Sequence, residues 1–246
     1  INHQILLSKL YLHGVRGSAY NWFHSYLSNR QQYVQIDQTK SSILHVNYGV
    51  PQGSILGPLL FILYINDIVN VSKLVNIIMF ADDTNLFLSE YELSDLISNV
   101  NSELSKISKW FKLNRLSLNI KKTNFILFGN RQNLNSVTFD ISIDNVKIEQ
   151  VSKTKFLGVI INQRLSWNDH IHFIKQKIVK NTGIIYRLSK HLPQSVLLSL
   201  YNTLIKPYLE YCNLIWAVDR STFLNKLYVC QKKVLRVITN SKYNAH

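Results

Sequence analysis

The chain has 246 residues, 46% of them apolar, enough to bury the core of one large domain or two modest ones. Its longest apolar run, Ile55 to Ile65, falls well short of the roughly 18 residues of a bilayer span, and no basic-then-apolar leader precedes a cleavage site, so the sequence predicts neither a membrane segment nor secretion. With 28 Lys and Arg against 14 Asp and Glu the net charge is +14, the balance of a protein that meets phosphates.

In chain order, Ile5 to Leu12 and Ser18 to Leu27 carry apolar residues at mostly helical spacing and predict two short helices separated by Gly14 and Gly17. Tyr33-Val34-Gln35-Ile36, a polar stretch from Asp37 to Ser42, and Ile43 to Tyr48 have the form of a β-hairpin. A turn at Pro51-Gln52-Gly53-Ser54 comes next. Ser54 is able to cap the apolar helix behind it, and Pro58 falls in the first helical turn, where a missing N–H leaves no bond unmade.

Val75 to Phe80 and Thr84 to Leu88 are strand-like runs joined by Ala81-Asp82-Asp83, which places the acidic pair at a hairpin tip. Leu93, Leu96, Ile97, Val100, Leu104, Ile107 and Phe111 mark a long amphipathic helix expected to pack on the sheet. A strand at Phe125–Phe128, a hairpin across Phe139–Ile148 turning at Asp144-Asn145, and a strand at Phe156–Ile161 complete an α+β layer. From Trp167 the pattern is helical, with helices at about 169–190, about 194–206 after Pro193, and about 221–240, and Pro207 breaking between them. With no repeat and no long Gly/Ser linker, the two parts are expected to pack closely.

Charge is uneven along this order. Residues 1–150 carry 13 basic and 11 acidic groups, and residues 151–246 carry 15 and 3. The phosphate-facing charge therefore belongs to the helical part, where Lys175, Lys177, Lys180, Arg187 and Lys190 lie along one predicted helix and Lys226, Lys232, Lys233 and Arg236 along another. A solubilising surface is the alternative. Cys212 and Cys230, with 17 residues between them and no companion Cys or His at zinc spacing, read as reduced intracellular thiols.

Two features carry chemistry. Adjacent carboxylates Asp82 and Asp83 repel each other unless a cation sits between them, and Mg²⁺ prefers such oxygen ligands together with substrate phosphates. Taken alone, an Asp-Asp turn is commonplace and reads first as a solvated loop. Gly49 to Pro58 holds three glycines and two prolines at a helix entry, where backbone approaches a ligand closely and free N–H groups favour phosphate or a nucleotide edge. The same residues also serve a purely structural turn.

Together these segments resemble the reverse transcriptase family, specifically the jockey-like branch of non-LTR retrotransposons, because the matches occur in the expected order across nearly the whole chain. Gly49 to Asp67 looks like the template- and nucleotide-contacting motif, Phe80–Asp83 like the metal-binding hairpin, and Asn119 with Lys122-Thr123 like the next motif. Phe156-Leu157-Gly158 looks like the primer grip, and Trp167, His170-Ile171 and Tyr208-Leu209-x-Tyr211-Cys212 like the region beyond the polymerase core.

The resemblance implies an α+β, partial right-hand polymerase fold, with fingers and palm over residues 1–165 and a basic, helical, thumb-like region over 166–246. It implies template-directed nucleotide addition with two Mg²⁺ ions, with Asp82 and Asp83 as metal ligands and Lys122, beside Lys121, near the leaving pyrophosphate. Gln52 and Gly53, flanked by Pro51 and Ser54, would position template base and nucleotide. The implied partners are an RNA template, a DNA primer and deoxynucleoside triphosphates, without a membrane, in nucleus and cytoplasm; oligomeric state stays open.

Asn2-His3-x-Ile5-Leu6 resembles the stretch immediately downstream of the motif with the first catalytic Asp, so the chain is expected to begin just after that motif and to be inactive alone. Asp37, Asp67 and Asp144 are not substitutes for it. Trp22, Phe23 and Tyr26 offer faces on which bases can stack, but their helical spacing places them in the core; Arg30 is expected on the template backbone or as an exposed loop residue, and His170 and His172 without metal. A nucleic-acid-binding relic without chemistry is the rival reading. A magnesium phosphatase built on the Asp pair explains neither the Gly49–Pro58 loop nor the charge asymmetry.

Overall fold

The computed structural model describes residues 1–129, 139–217 and 222–242. The chain divides into two units, Ile1–Asn124 with Thr138–Glu149, and Phe125–Val137 with Gln150–His246. Helix and strand are mixed in each, as an α+β class requires, and every sheet among the described residues is two-stranded.

In the first unit, α1 (His3–Leu12) begins where the Asn2 side chain accepts from the Ile5 N–H at 3.1 Å, and it buries Leu6, Leu7 and Leu10 at three- and four-residue spacing. α2 (Gly17–Leu27) buries Leu27. The expected hairpin after Arg30 forms as two short pairings. β1 (Gln31–Gln32) joins β4 (Leu44–His45), and β2 (Gln35–Ile36) joins β3 (Thr39–Lys40), with Asp37 left-handed at the turn. α3 (Leu56–Ile65) is apolar on all sides, buries Gly57, Leu60, Tyr64 and Ile65, and tightens into a 3₁₀ turn over Asn66–Asn70.

β5 (Asn76–Phe80) and β6 (Asp83–Phe87) form the next hairpin, and α4 (Leu93–Leu113) spans the amphipathic stretch read from the sequence. Leu6, Leu10, Leu27, Leu60, Tyr64, Ile68, Ile107 and Trp110 share one core, against which Ile77, Met79 and Leu86 of the hairpin are packed. Each fully buried side chain of this kind contributes about 1.5–3 kcal/mol. β7 (Ser142–Ile143) and β8 (Val146–Lys147) turn at Asp144-Asn145, both left-handed as a two-residue hairpin loop demands. This hairpin is tied to α4, where Asn101 binds the Asp140 carbonyl and the Ser142 N–H, and Asp144 accepts from Ser108 at 2.8 Å and from Lys112 at 2.7 Å.

The strand expected at Phe125–Phe128 is reduced to Asn124–Phe125. The strand expected across Phe156–Ile161 is instead a hairpin of β9 (Lys153–Phe156) and β10 (Val159–Asn162), with Leu157 and Gly158 as its left-handed turn. An apolar run hides such a turn, because the left-handed demand falls on only two of its residues.

α5 (Asn168–Leu188), α6 (Gln194–Leu204), α7 (Lys206–Glu210), α8 (Asn213–Trp216) and α9 (Thr222–Ile238) complete the second unit. Position 221, where the sequence pattern opens the last helix, lies outside the described residues. Ile171, Ile174, Ile178 and Ile185 of α5 meet Leu227, Cys230, Val234 and Ile238 of α9, both stripes at helical spacing. Pro207 does separate two helices, but by starting one: it sits in the first turn of α7, where it removes no bond. Cys212 and Cys230 are both free. No helix of the described residues is long and apolar enough to cross a membrane.

Candidate functional site

β5 and β6 pair Ile77 with Leu86, Met79 with Thr84 and Phe80 with Asp83. Strand alternation turns Ile77, Met79 and Leu86 to the core and leaves Ile78, Phe80 and Asp83 on the exposed face. The loop is therefore two residues, Ala81 and Asp82, and Asp83 is the first residue of β6 rather than part of the turn. Ala81 takes a φ of +53°, a left-handed conformation costing a side chain about 1–2 kcal/mol, and it lets so short a turn close. Local backbone strain thus supports the placement of Asp82.

Both carboxylates are exposed, and neither has a hydrogen-bond or ion-pair partner among the described residues. Two adjacent, un-neutralised oxygen donors suit a hard divalent cation. Among the described residues no group of three or more His, Cys, Asp and Glu gathers to hold a metal. Asp82 and Asp83 could supply two oxygen donors to a magnesium ion that takes its other ligands from waters and phosphate oxygens.

The Gly49–Pro58 loop is built in the same unit. Its start is tied to the N-terminal residues: the Gly49 N–H donates to the Ile1 carbonyl at 2.7 Å, His3 Nε2 donates to the Gly49 carbonyl at 2.7 Å, and Asn2 bridges Tyr48. Its end is locked by Ser54, whose hydroxyl donates to the Pro51 carbonyl at 2.7 Å and accepts from the Gly57 N–H at 3.0 Å. That is the capping role read from the sequence. Gly57 lies so close that a Cβ would meet the Pro51 oxygen at 3.1 Å and Ser54 Oγ at 3.2 Å. Gln52 and Gly53 face solvent at the turn, Gly53 with φ +79°. Behind the loop, the buried Tyr64 hydroxyl accepts from the Asn2 N–H at 3.3 Å and donates to the Asn114 carbonyl at 2.5 Å.

Lys122 and Lys121 are both exposed in a 3₁₀ turn over Ile120–Lys122, closed by Thr123 on the Asn119 carbonyl. Asp67 is ion-paired to Lys9 at 2.6 Å and Asp144 to Lys112, so each has an internal partner. Phe23 and Tyr26 pack against the core, but Trp22 is 52% exposed and stacks on Tyr26 at 5.2 Å, with the Arg30 guanidinium 5.8 Å from the Tyr26 ring. Trp22 is thus a surface aromatic rather than a core one, because its position on α2 points away from the Leu27 stripe.

In the second unit the structure brings Lys175, Lys226 and Lys233 to a groove of about 510 Å³ between α5 and α9, lined also by Val179, Val229 and the buried Cys230. A second hollow of about 370 Å³ shares Lys175 and Val179 and adds His172 and Lys180. Lys177 and Lys232 turn instead to aromatic rings, 5.5 Å from Phe173 and 4.5 Å from Tyr228. Arg187 is exposed near the end of α5, Lys190 lies just past that end, and Arg236 is half-buried on α9.

The Phe156-Leu157-Gly158 turn carries a contact that no local sequence signal announces. The Tyr211 hydroxyl, 54 residues away, donates to the Leu157 carbonyl at 2.6 Å. Glu103 is also absent from the sequence reading. It is 2% exposed on the core side of α4 and binds Lys106 at 2.6 Å, which together with the Ser72 hydroxyl holds its carboxyl below the usual range. Burial drives the His170 imidazole down from its ordinary value.

A family profile described as reverse transcriptase (RNA-dependent DNA polymerase) matches residues 1–161. Among characterised sequences, the chain is 27% identical over 227 residues to the probable RNA-directed DNA polymerase from transposon X-element of Drosophila melanogaster, covering 89% of this chain and 25% of that one. It is 26% identical over 230 residues to the RNA-directed DNA polymerase from mobile element jockey of the same organism, with 89% and 25% covered. Against the probable RNA-directed DNA polymerase from transposon BS it is 26% identical over 234 residues, with 91% and 26% covered. The chain spans about a quarter of the length of these relatives.

Proposed function

Because this chain belongs to the reverse transcriptase family and is similar to polymerases of jockey-like non-LTR elements, we propose that it is part of an RNA-directed DNA polymerase that extends a DNA primer on an RNA template. The observation that carries this reading is the β5–β6 tip, where two exposed, unpaired carboxylates stand side by side in a chain of net charge +14. A site that needs anionic groups for a cation keeps them out of ion pairs even when lysines abound.

In this reading Asp82 and Asp83 hold Mg²⁺, which when bound supplies Lewis-acid polarisation of phosphoryl oxygens. The protein's own contribution is placement. The backbone of Gln52-Gly53, fixed by Ser54 and Gly57 behind it, meets the templating base and the incoming nucleotide with open N–H groups and little side-chain bulk. Lys122, on an exposed turn, offers charge or a proton to the departing pyrophosphate. The Phe156-Leu157-Gly158 turn meets the primer strand, and the groove of Lys175, Lys226 and Lys233 holds phosphates of the template and primer. Residues 1–165 act as fingers and palm, residues 166–246 as thumb.

The test is primer extension on an RNA template by the polymerase that contains this chain. Asp82→Asn should lower the extension rate about a hundredfold or more while leaving the thermal midpoint in place, since the charge it removes is exposed. Extension at the parent rate overturns the reading. A nucleic-acid-binding role without chemistry is the second reading, favoured by the groove that Lys175, Lys226 and Lys233 line; it predicts binding that Asp82→Asn leaves unchanged and no extension by the parent.

A further inference from the structure

Two segments singled out in the sequence, Phe156-Leu157-Gly158 and Tyr208 to Cys212, are unconnected until the fold joins them. The Tyr211 hydroxyl donates to the Leu157 carbonyl at 2.6 Å. Its ring also lies against the turn, because a Cβ built on Gly158 would fall 3.0 Å from Tyr211 Cε1. Gly158 has φ +87°, so both its conformation and the ring beside it exclude a side chain.

Tyr211 is itself held. Its carbonyl accepts from Trp216 Nε1 at 2.7 Å across the left-handed Cys212, and the buried Trp216 ring stands edge-on to His170 at 5.5 Å. His170 Nδ1 in turn accepts from the Ile160 N–H of β10 at 3.2 Å. The β9–β10 hairpin is therefore gripped at its tip by Tyr211 and along one strand by His170, and the two grips meet at Trp216. A hairpin of four-residue strands held at two points has its tip fixed in position and in tilt.

We propose that Tyr211 is a positioning residue for nucleotide addition, acting through the Leu157–Gly158 turn to place the primer end. This rests on the reading of that turn as the element that meets the primer. Tyr211 is 53% exposed, so its hydroxyl contributes little to the core, and the Leu157 carbonyl it leaves is free to take water. The bond matters for where the turn stands rather than for whether the unit folds.

The experiment uses the polymerase containing this chain, with four readouts: primer extension kinetics, nucleotide KM, the thermal midpoint, and crosslinking from a photoreactive nucleotide at the primer 3′ end. In the parent the crosslink should map to residues 156–158; a crosslink mapping elsewhere overturns the reading of the turn and the inference with it. Tyr211→Phe keeps the ring and loses the bond. It should lower kcat about tenfold and reduce the crosslink yield, with nucleotide KM changed less than about twofold and the melt unmoved, since a small misplacement of reacting groups costs rate rather than binding. Gly158→Ala should also lower kcat, since a Cβ there is strained at the positive φ and falls against the Tyr211 ring. If the parent crosslinks at the turn but Tyr211→Phe extends at the parent rate, or loses rate only in step with its melting temperature, Tyr211 does not position the primer.

Discussion

Tyr64→Phe tests the framework on which the candidate site stands. The Tyr64 hydroxyl is buried and serves two backbone groups, the Asn2 N–H at 3.3 Å and the Asn114 carbonyl at 2.5 Å, in residues that are each 7% exposed. Phenylalanine fills the same ring volume, so no cavity term enters and the whole effect comes from two buried polar groups losing a partner. At about 1–3 kcal/mol per unsatisfied group, with the longer bond at the low end, the change should destabilise by about 2–4 kcal/mol. In urea, with a slope of about 2–3 kcal/mol/M, the midpoint should fall by roughly 1 M at constant slope. Exchange of the Gly49 amide, which donates to Ile1 next to the released Asn2, should accelerate together with the rest of this region. Tyr91→Phe is the control, because Tyr91 is fully exposed and should shift nothing. A midpoint for Tyr64→Phe within about 0.2 M of the parent would refute the argument that this hydroxyl holds α1, α3 and α4 together.

Two further outcomes rest on the charges. Replacing Lys226 and Lys233 together with Glu should flatten the dependence of log affinity on log salt by about 1.8 for duplex nucleic acid, two phosphates at roughly 0.9 each; an unchanged slope would move the binding surface away from the α5–α9 groove. Stability should decline on acidification in two stages. His170 is buried neutral with its pKa lowered by burial, so its contribution is complete above about pH 6.5 and is lost as pH falls through the lowered value. Asp169, held down by Lys153, Asp144 by Lys112 and Glu103 by Lys106 contribute stability that is present above about pH 4.5 and disappears as pH falls further. Thermal melts across pH 3–8 of the parent and His170→Gln check both stages, and loss of the first stage only in the variant is the expected result.

The long helices are legible in the sequence because their signal is periodic: the apolar stripe of α4 and the basic, amphipathic α9 are read within a residue or two of their ends. Turn chemistry is legible where the residues are distinctive, as at Asp144-Asn145, and hidden where they are not. The sequence puts Asp83 in a three-residue tip because nothing in Ala81-Asp82-Asp83 announces that Ala81 will take the left-handed position and shorten the loop. Leu157-Gly158 is absorbed into a strand for the same reason. The tertiary contacts are out of reach altogether. The Tyr211–Leu157 bond joins residues 54 apart, and Glu103, one turn from both Val100 and Ile107, is a carboxylate on the buried side of α4 that Lys106 one turn on lets be buried. Trp22 shows the converse, an aromatic at helical spacing that packing left at the surface.

Whether the Asp82–Asp83 tip holds the catalytic metal is open to direct mapping. With Fe²⁺ replacing Mg²⁺ in the polymerase that contains this chain, bound to primer and template, hydroxyl radicals cut the backbone beside the ion. Cleavage should fall at the Ala81–Asp83 turn and within the Pro51–Ser54 loop, suppressed by excess Mg²⁺ and abolished at both places by Asp82→Asn. Cleavage that maps to other segments, or that persists unchanged in Asp82→Asn, would contradict the metal's placement at this tip.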